Sequence, residues 1–261
     1  MTTEGYSKVA LVTGSTQGLG EAISRRLVLE NMIGGLVLCG RNADNGRRLA
    51  EELANSECRV EFVPADLTQV DDCHRVIDAA RAKFGRLDYL VNSAATSERG
   101  GILDSSPELF DRIVALNVRA PFLLMQGAIK LMLERGTGGA IVNILSMSSH
   151  GGQPFLTPYS MSKGALATLT KNVANAMLTQ RVRVNGLNIG WMDTPGETAV
   201  QQRFHNAGAD WLAAAESAQP LGRLVKPQEV ARVVAFLLSE QSGLMTGAII
   251  DFDQQVLGAH S

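Results

Sequence analysis

A phenol and a primary amine stand four residues apart in Tyr159-Ser160-Met161-Ser162-Lys163. On a helix that spacing puts both groups on one face. An ammonium beside a phenol favours the phenolate, which makes tyrosine a usable acid or base near neutral pH. Upstream, Ser146 closes the apolar stretch 140–145, which reads as a buried strand. A hydroxyl at that strand end can bond a substrate oxygen and hold it facing the tyrosine. Near the start of the chain, Thr13-Gly14-Ser15-Thr16-Gln17-Gly18-Leu19-Gly20 joins the apolar run 9–12 to a helical pattern from Glu21. Its glycines permit positive φ and let a pyrophosphate approach the backbone. The helix start behind them offers free N–H groups and the positive end of the dipole. The spacing is GxxxGxG rather than GxGxxG.

These groups need a scaffold, and the pattern between them predicts one. Short apolar runs at 9–12, 36–39, 59–63, 87–91, 140–145, 182–187 and 248–252 read as about seven strands. Continuous apolar strands suit a parallel sheet covered on both faces. Between them, Cys73, Val76, Ile77, Ala80 and Phe84 recur at helical steps. So do Val230, Val233, Val234, Leu237 and Leu238, after Pro227 at a first helical turn. Strand-helix alternation predicts an α/β fold: a single domain over 1–261, with a doubly wound parallel sheet and helices on both faces. Residues 194–224 are the one long irregular stretch, expected to be a lid over a substrate.

Composition narrows the function. In 261 residues, 45% are hydrophobic and 19% charged, enough apolar material for a core. Lys and Arg total 24 against 26 Asp and Glu, a net charge of −2, which supports neither a nucleic-acid nor an anionic-membrane partner. The three cysteines, Cys39, Cys58 and Cys73, show neither disulfide nor zinc spacing. No metal site is expected. The first residues carry an acidic group and no apolar leader, so the expected location is cytoplasmic.

The motifs together resemble those of the short-chain dehydrogenase/reductases of about 250 residues, over nearly the whole chain. The cofactor loop falls on residues 13–20 (Gly14, Ser15, Thr16, Gln17, Gly18, Leu19 and Gly20), and the strand-three acid on Asp66, followed by Leu67. The motif after strand four appears as Asn92-Ser93-Ala94-Ala95, with Ser93 and Ala95 departing from its second Asn and its Gly. Ile189 and Gln254-Gln255 also depart from the family pattern. The resemblance implies a Rossmann-type fold and a nicotinamide cofactor exchanging hydride with a carbonyl or secondary alcohol. Tyr159 would be the general acid/base. Lys163 would lower its pKa and bind the ribose, Ser146 would orient the substrate oxygen, and Asn117 would hold a water. Met192 and Thr194 would fix the carboxamide. Homotetramers formed through helices near 115–134 and 158–179 are implied as well. A non-catalytic dinucleotide sensor on the same fold is the alternative.

Two finer readings complete the set. After strand two the chain reads Gly40-Arg41-Asn42, with an arginine where a carboxylate would bind the ribose 2′-OH. This favours NADP over NAD, although Gln17 stands where NADP binders often carry a basic residue. The substrate pocket is expected from 96–101, 148–155 and the segment after Thr194. His150 and Gln153 are the candidate substrate contacts there, with Glu197, His205 and Trp211 also in range. These polar groups favour a hydroxylated small molecule such as a sugar or polyol.

Overall fold

All five residues of β1 (Val9–Thr13) are buried, so this strand has no solvent face and needs cover on both sides. The computed structural model describes residues 7–208 and 210–258. After β1 come α1 (Gly18–Leu29), β2 (Gly35–Gly40), α2 (Ala43–Leu53), β3 (Arg59–Pro64), α3 (Val70–Phe84) and β4 (Tyr89–Asn92). Then follow α4 (Pro107–Val114), α5 (Ala120–Arg135), β5 (Gly139–Ile144), α6 (Thr157–Ala176) and β6 (Val182–Ile189). The chain closes with α7 (Pro195–His205), α8 (Trp211–Ser217), α9 (Pro227–Leu238) and β7 (Ile249–Phe252). Every expected strand is present, with ends within two residues of those expected. All pairings are parallel, in the order β3-β2-β1-β4-β5-β6-β7.

The alternation along β1 sorts the core into two layers. Ala10 and Val12 face Ile23 and Leu27 of α1, Leu49 of α2 and Val230 and Val234 of α9. Val9 and Leu11 face Val76 and Ala80 of α3, Leu124 and Ala128 of α5 and Ala174 of α6. Strand order reverses between β1 and β4, and the crevice outside the strand ends at such a switch point is where open α/β sheets bind ligands.

Two local features depart from the simple reading. Residues 194–224 are less irregular than expected, for the stretch contains α7 and α8. The start of α7 carries ordinary helix signals, a Thr194 cap and Pro195 in the first turn, but the helix buries no residue, so it lacks the apolar stripe that betrays a helix in sequence. Between α4 and α5 the chain makes a π-helical turn, Ala115–Arg119, closed by a bond from the Ala120 N–H to the Ala115 carbonyl. Such turns are often functional. All three cysteines are buried free thiols. Among the described residues, no helix is long and apolar enough to cross a membrane.

Candidate active site

The glycine loop is packed to its limit. Thr13, at the end of β1, accepts bonds on Oγ1 from the N–H groups of Ser93 and Ala94, both at 3.0 Å. This latch draws the loop after β4 so close that a Cβ on Gly14 would lie 2.8 Å from Ala94 Cα. A Cβ on Gly20 would lie 2.3 Å from the Gly14 carbonyl oxygen. Gly18 is different. Its φ of +58° calls for glycine, yet its Cβ position is open except for Thr194 at 3.7 Å. The loop and the strand ends beyond it border a cleft of about 860 Å³. Gln17, the N-cap of α1, makes no side-chain cap, so the first N–H groups of that helix remain open to an anion. Open N–H groups above a Cβ-free cradle fit a dinucleotide pyrophosphate.

Most residues expected to hold the cofactor border this cleft. They include Gly14, Thr16, Gln17, Gly18, Leu19 and Gly20 of the loop. Arg41, Asp66, Leu67, Ser93, Ala94, Met192 and Thr194 do so too. Arg41 is exposed there. Asp66 spends Oδ1 on the Thr68 backbone and hydroxyl, at 3.0 and 2.8 Å, leaving its other oxygen for a ligand. Ser15 and Asn92 are placed otherwise. Ser15 Oγ donates to the Cys39 carbonyl at 3.2 Å and accepts from the Cys39 N–H at 3.0 Å, stapling the loop to β2. Asn92 lies beneath the site and donates to Asn143 Oδ1 at 2.8 Å, with its own Oδ1 buried and unpaired.

Ser146 follows β5, and Tyr159 and Lys163 sit one turn apart on α6, so the three meet at the sheet edge. Tyr159 is half-buried, and it borders the cleft together with Ser146 and Lys163. Burial raises its pKa above the ordinary value, Ser146 pulls it back, the Glu197 charge pushes it up and Arg99 draws it down. Lys163 is buried and donates from Nζ to the Ile144 carbonyl at 2.7 Å. It lies 5.8 Å from the tyrosine ring centre. Burial pushes its pKa down to about 8. Ser146 draws the phenol down, while the Lys163 ammonium is held at the end of β5, one helical turn away. Asn117, in the π turn, accepts from the Thr96 N–H and donates to the Thr96 carbonyl and to Ser162 Oγ, at 3.0, 2.9 and 3.0 Å. Ser162 Oγ in turn donates to the Tyr159 carbonyl at 2.7 Å. The Asn117 side chain therefore clamps the loop after β4 to α6, and it stands behind the cleft rather than in its wall.

At the substrate end, Gln153 borders the cleft and accepts from Ser148 Oγ. His150 does not border it. Its Nε2 lies 3.1 Å from both Asp251 Oδ1 and Asn188 Nδ2, at the ends of β6 and β7. The sequence reading missed Arg99. Its guanidinium sits 5.5 Å from the Phe155 ring centre, beside His205 and Glu197 of α7. The signal was faint, an arginine in a loop already expected to line the pocket. Among the described residues, no group of three or more His, Cys, Asp or Glu is placed to hold a metal.

A Rossmann-like sheet, a glycine cradle at its switch point and a serine, a tyrosine and a lysine gathered at its edge define an oxidoreductase fold. A family model described as enoyl-(acyl carrier protein) reductase matches residues 14–254. The cis-4-hydroxycyclohexanecarboxylate dehydrogenase of Sinomonas cyclohexanicum is 32% identical, covering 94% of this chain and 95% of that one. The structure of a singly substituted actinorhodin polyketide ketoreductase with NADPH matches with a TM-score of 0.87 at 28% identity, covering 97% of each chain. That of a 3-ketoacyl-(acyl-carrier-protein) reductase from Brucella melitensis with NADH matches with a TM-score of 0.81 at 30% identity, covering 97% of this chain and 98% of that one. The chain belongs to the short-chain dehydrogenase/reductase family. It is an NAD(P)-dependent oxidoreductase acting on alcohol and carbonyl groups.

Proposed function

We propose that the chain interconverts a ketone and a secondary alcohol on a hydroxylated small molecule, with Tyr159 as the proton donor and acceptor. The observation that carries this reading is that Ser146, Tyr159 and Lys163 border the same cleft as the glycine cradle. When bound, the nicotinamide cofactor exchanges the hydride. In the reducing direction Tyr159 Oη gives its proton to the carbonyl oxygen, which Ser146 holds in line. In the oxidising direction the phenolate takes the alcohol proton. Lys163 puts a positive charge one helical turn from the phenol, stabilises the phenolate as it forms and bonds the nicotinamide ribose. Asn117 keeps the tyrosine turn of α6 in register with the loop after β4. Met192 and Thr194 hold the carboxamide, Asp66 the adenine and Gln153 the substrate. A sensor of dinucleotides would have no use for a serine, a phenol and a lysine gathered in the cofactor cleft.

Arg41 supports NADP as the preferred cofactor. It stands in the cleft wall directly after β2, exposed and with no carboxylate before Asp44, and a guanidinium meets a phosphate with paired, charge-assisted bonds. Assembly into a homotetramer through α5 and α6 is supported by the large apolar groups exposed there, Phe122 at 48% and Met161 at 44%.

Tyr159→Phe keeps the ring and removes the proton. General acid/base catalysis is worth about 10²–10⁴-fold, so turnover of a ketone panel should fall at least a hundredfold while cofactor affinity by fluorescence titration stays within about twofold. A variant keeping a tenth of wild-type turnover overturns the assignment.

A further inference from the structure

Arg99 is a mostly buried cation whose one carboxylate partner stands at the limit of ion-pair reach. Its side chain is only 15% exposed. Nε donates to His205 Nε2 at 3.3 Å and Nη1 to the Ser97 carbonyl at 3.3 Å, neither an anion and both long. Nη2 faces Glu197 Oε1 at 3.9 Å, beyond hydrogen-bond reach. That oxygen is already taken, for it accepts from Trp191 Nε1 at 2.9 Å and from Gln201 Nε2 at 2.7 Å. Glu197 thus steadies the guanidinium by charge without occupying its fork. Removing a guanidinium from most of its water is costly unless its N–H groups find anionic acceptors. Nη2 makes no hydrogen bond, and Arg99 borders the cleft that also holds Tyr159. Of the other cations bordering that cleft, Arg41 stands on the glycine-loop side, after β2, and Lys163 is committed to Ile144.

We propose that Arg99 anchors a carboxylate carried by the substrate, so that the enzyme acts on a compact keto acid and the matching hydroxy acid. This deepens the reading of a ketone-alcohol oxidoreductase and rests on it. A planar carboxylate accepts two parallel bonds from a guanidinium fork, which orients the acid as well as binding it. Phe155, stacked near Arg99, and Trp191, bonded to Glu197, give the body of that acid an apolar wall. Glu197 sets a threshold, since a neutral polyol has no charge with which to draw Arg99 from it. A hydroxyl reaching the same fork gains only neutral bonds, roughly half as strong.

Binding and turnover are tested separately. Cyclohexanecarboxylate and cyclohexylmethanol are titrated calorimetrically into the enzyme saturated with oxidised cofactor. The acid should bind at least thirtyfold more tightly than the alcohol, and Arg99→Leu should abolish the difference, with Arg99→Lys restoring part of it. Glu197→Gln should tighten the acid a few fold by removing the competing charge. Methylphosphonate, a compact anion without the planar fork, should bind less well than acetate. Equal binding of acid and alcohol, or an acid affinity indifferent to Arg99→Leu with the fold intact by circular dichroism, overturns the proposal. Turnover is then compared for 3- and 4-oxocyclohexanecarboxylate and their methyl esters. The acids should show kcat/KM at least tenfold above the esters in the wild type and near parity in Arg99→Leu, whereas Tyr159→Phe should depress both alike. Esters reduced as well as acids would refute the anchor and leave the redox reading standing. Acids that bind through Arg99 and are not reduced would do the reverse.

Discussion

At the glycine loop, the parts of the cleft touch through backbone. Gly14 lies against Ala94 and Gly20 against Gly14, with no room for one further carbon. At the other end, Arg99, His205 and Glu197 meet through side chains, and the first two are 106 residues apart in the chain. One end is a mould whose shape is set by what is missing. The other is a mesh of polar groups on α7, a helix with no buried residue, and it can be rewired without disturbing the core. A shared cofactor needs the first kind of construction, and a particular substrate needs the second.

The severest test of this contrast lies at Gly20. A methyl there must displace the Gly14 carbonyl, and overpacking of this kind costs about 1–3 kcal/mol. Gly20→Ala should weaken cofactor binding by a hundredfold or more in a fluorescence titration and lower the melting temperature by several degrees. An unchanged titration would show the loop to be more pliant than its contacts. Arg41 should have a smaller and more selective effect. A charge-assisted bond is worth roughly 1.5–3 kcal/mol, so Arg41→Ala should cost tenfold or more in NADP affinity and little in NAD affinity. Equal losses for both, or a wild-type preference for NAD, would defeat that reading.

Lys163, between the two ends, should respond in the opposite direction. Its pKa is about 8 in the folded chain against 10.5 for an ordinary lysine, so below pH 8 the fold carries a buried charge it would rather lose. Between pH 8 and about 10.5 the unfolded chain binds more protons than the folded one, and stability should rise with pH there. Lys163→Met should then raise stability at pH 7 by about 1–2 kcal/mol, after allowing for the lost Ile144 bond, while abolishing turnover. Denaturant titrations at pH 7 and 10 check this, and the gain should be smaller at pH 10. A loss of stability at pH 7 would mean that the Ile144 bond outweighs desolvation.

The legibility of the sequence follows the same division. The inner strands are buried almost throughout and the edge strands β3 and β7 keep enough apolar residues, so all seven could be read along with the loop whose glycines the packing demands. Tyr159 and Lys163 were legible because four residues make one helical turn. The Nζ contact with Ile144 was not, because it depends on where β5 ends relative to α6. His150 looked like a substrate contact from its nearness to Ser146 in sequence, yet its partners Asn188 and Asp251 come from β6 and β7 and turn it out of the cleft. Arg99 was hidden for the same reason, since what makes it notable is the helix that faces it. That helix was hidden in turn, having a cap and a proline but no apolar stripe.

The π turn at 115–119 has one more consequence, a matter of phase. An α-helix turns about 100° per residue, so a turn widened by one residue rotates everything beyond it by that angle relative to an unbroken rod. α5 meets the sheet with Leu124 and Ala128 only because α4, whose Ile113 is fully buried, arrives with that offset already made. Deleting any one of the other four residues of 115–119 would mend the helix and carry Asn117 away from Thr96 and Ser162, with the asparagine itself retained. The clamp is thus written in a residue count as much as in a residue type, and a substitution scan confined to side chains would pass over half of it.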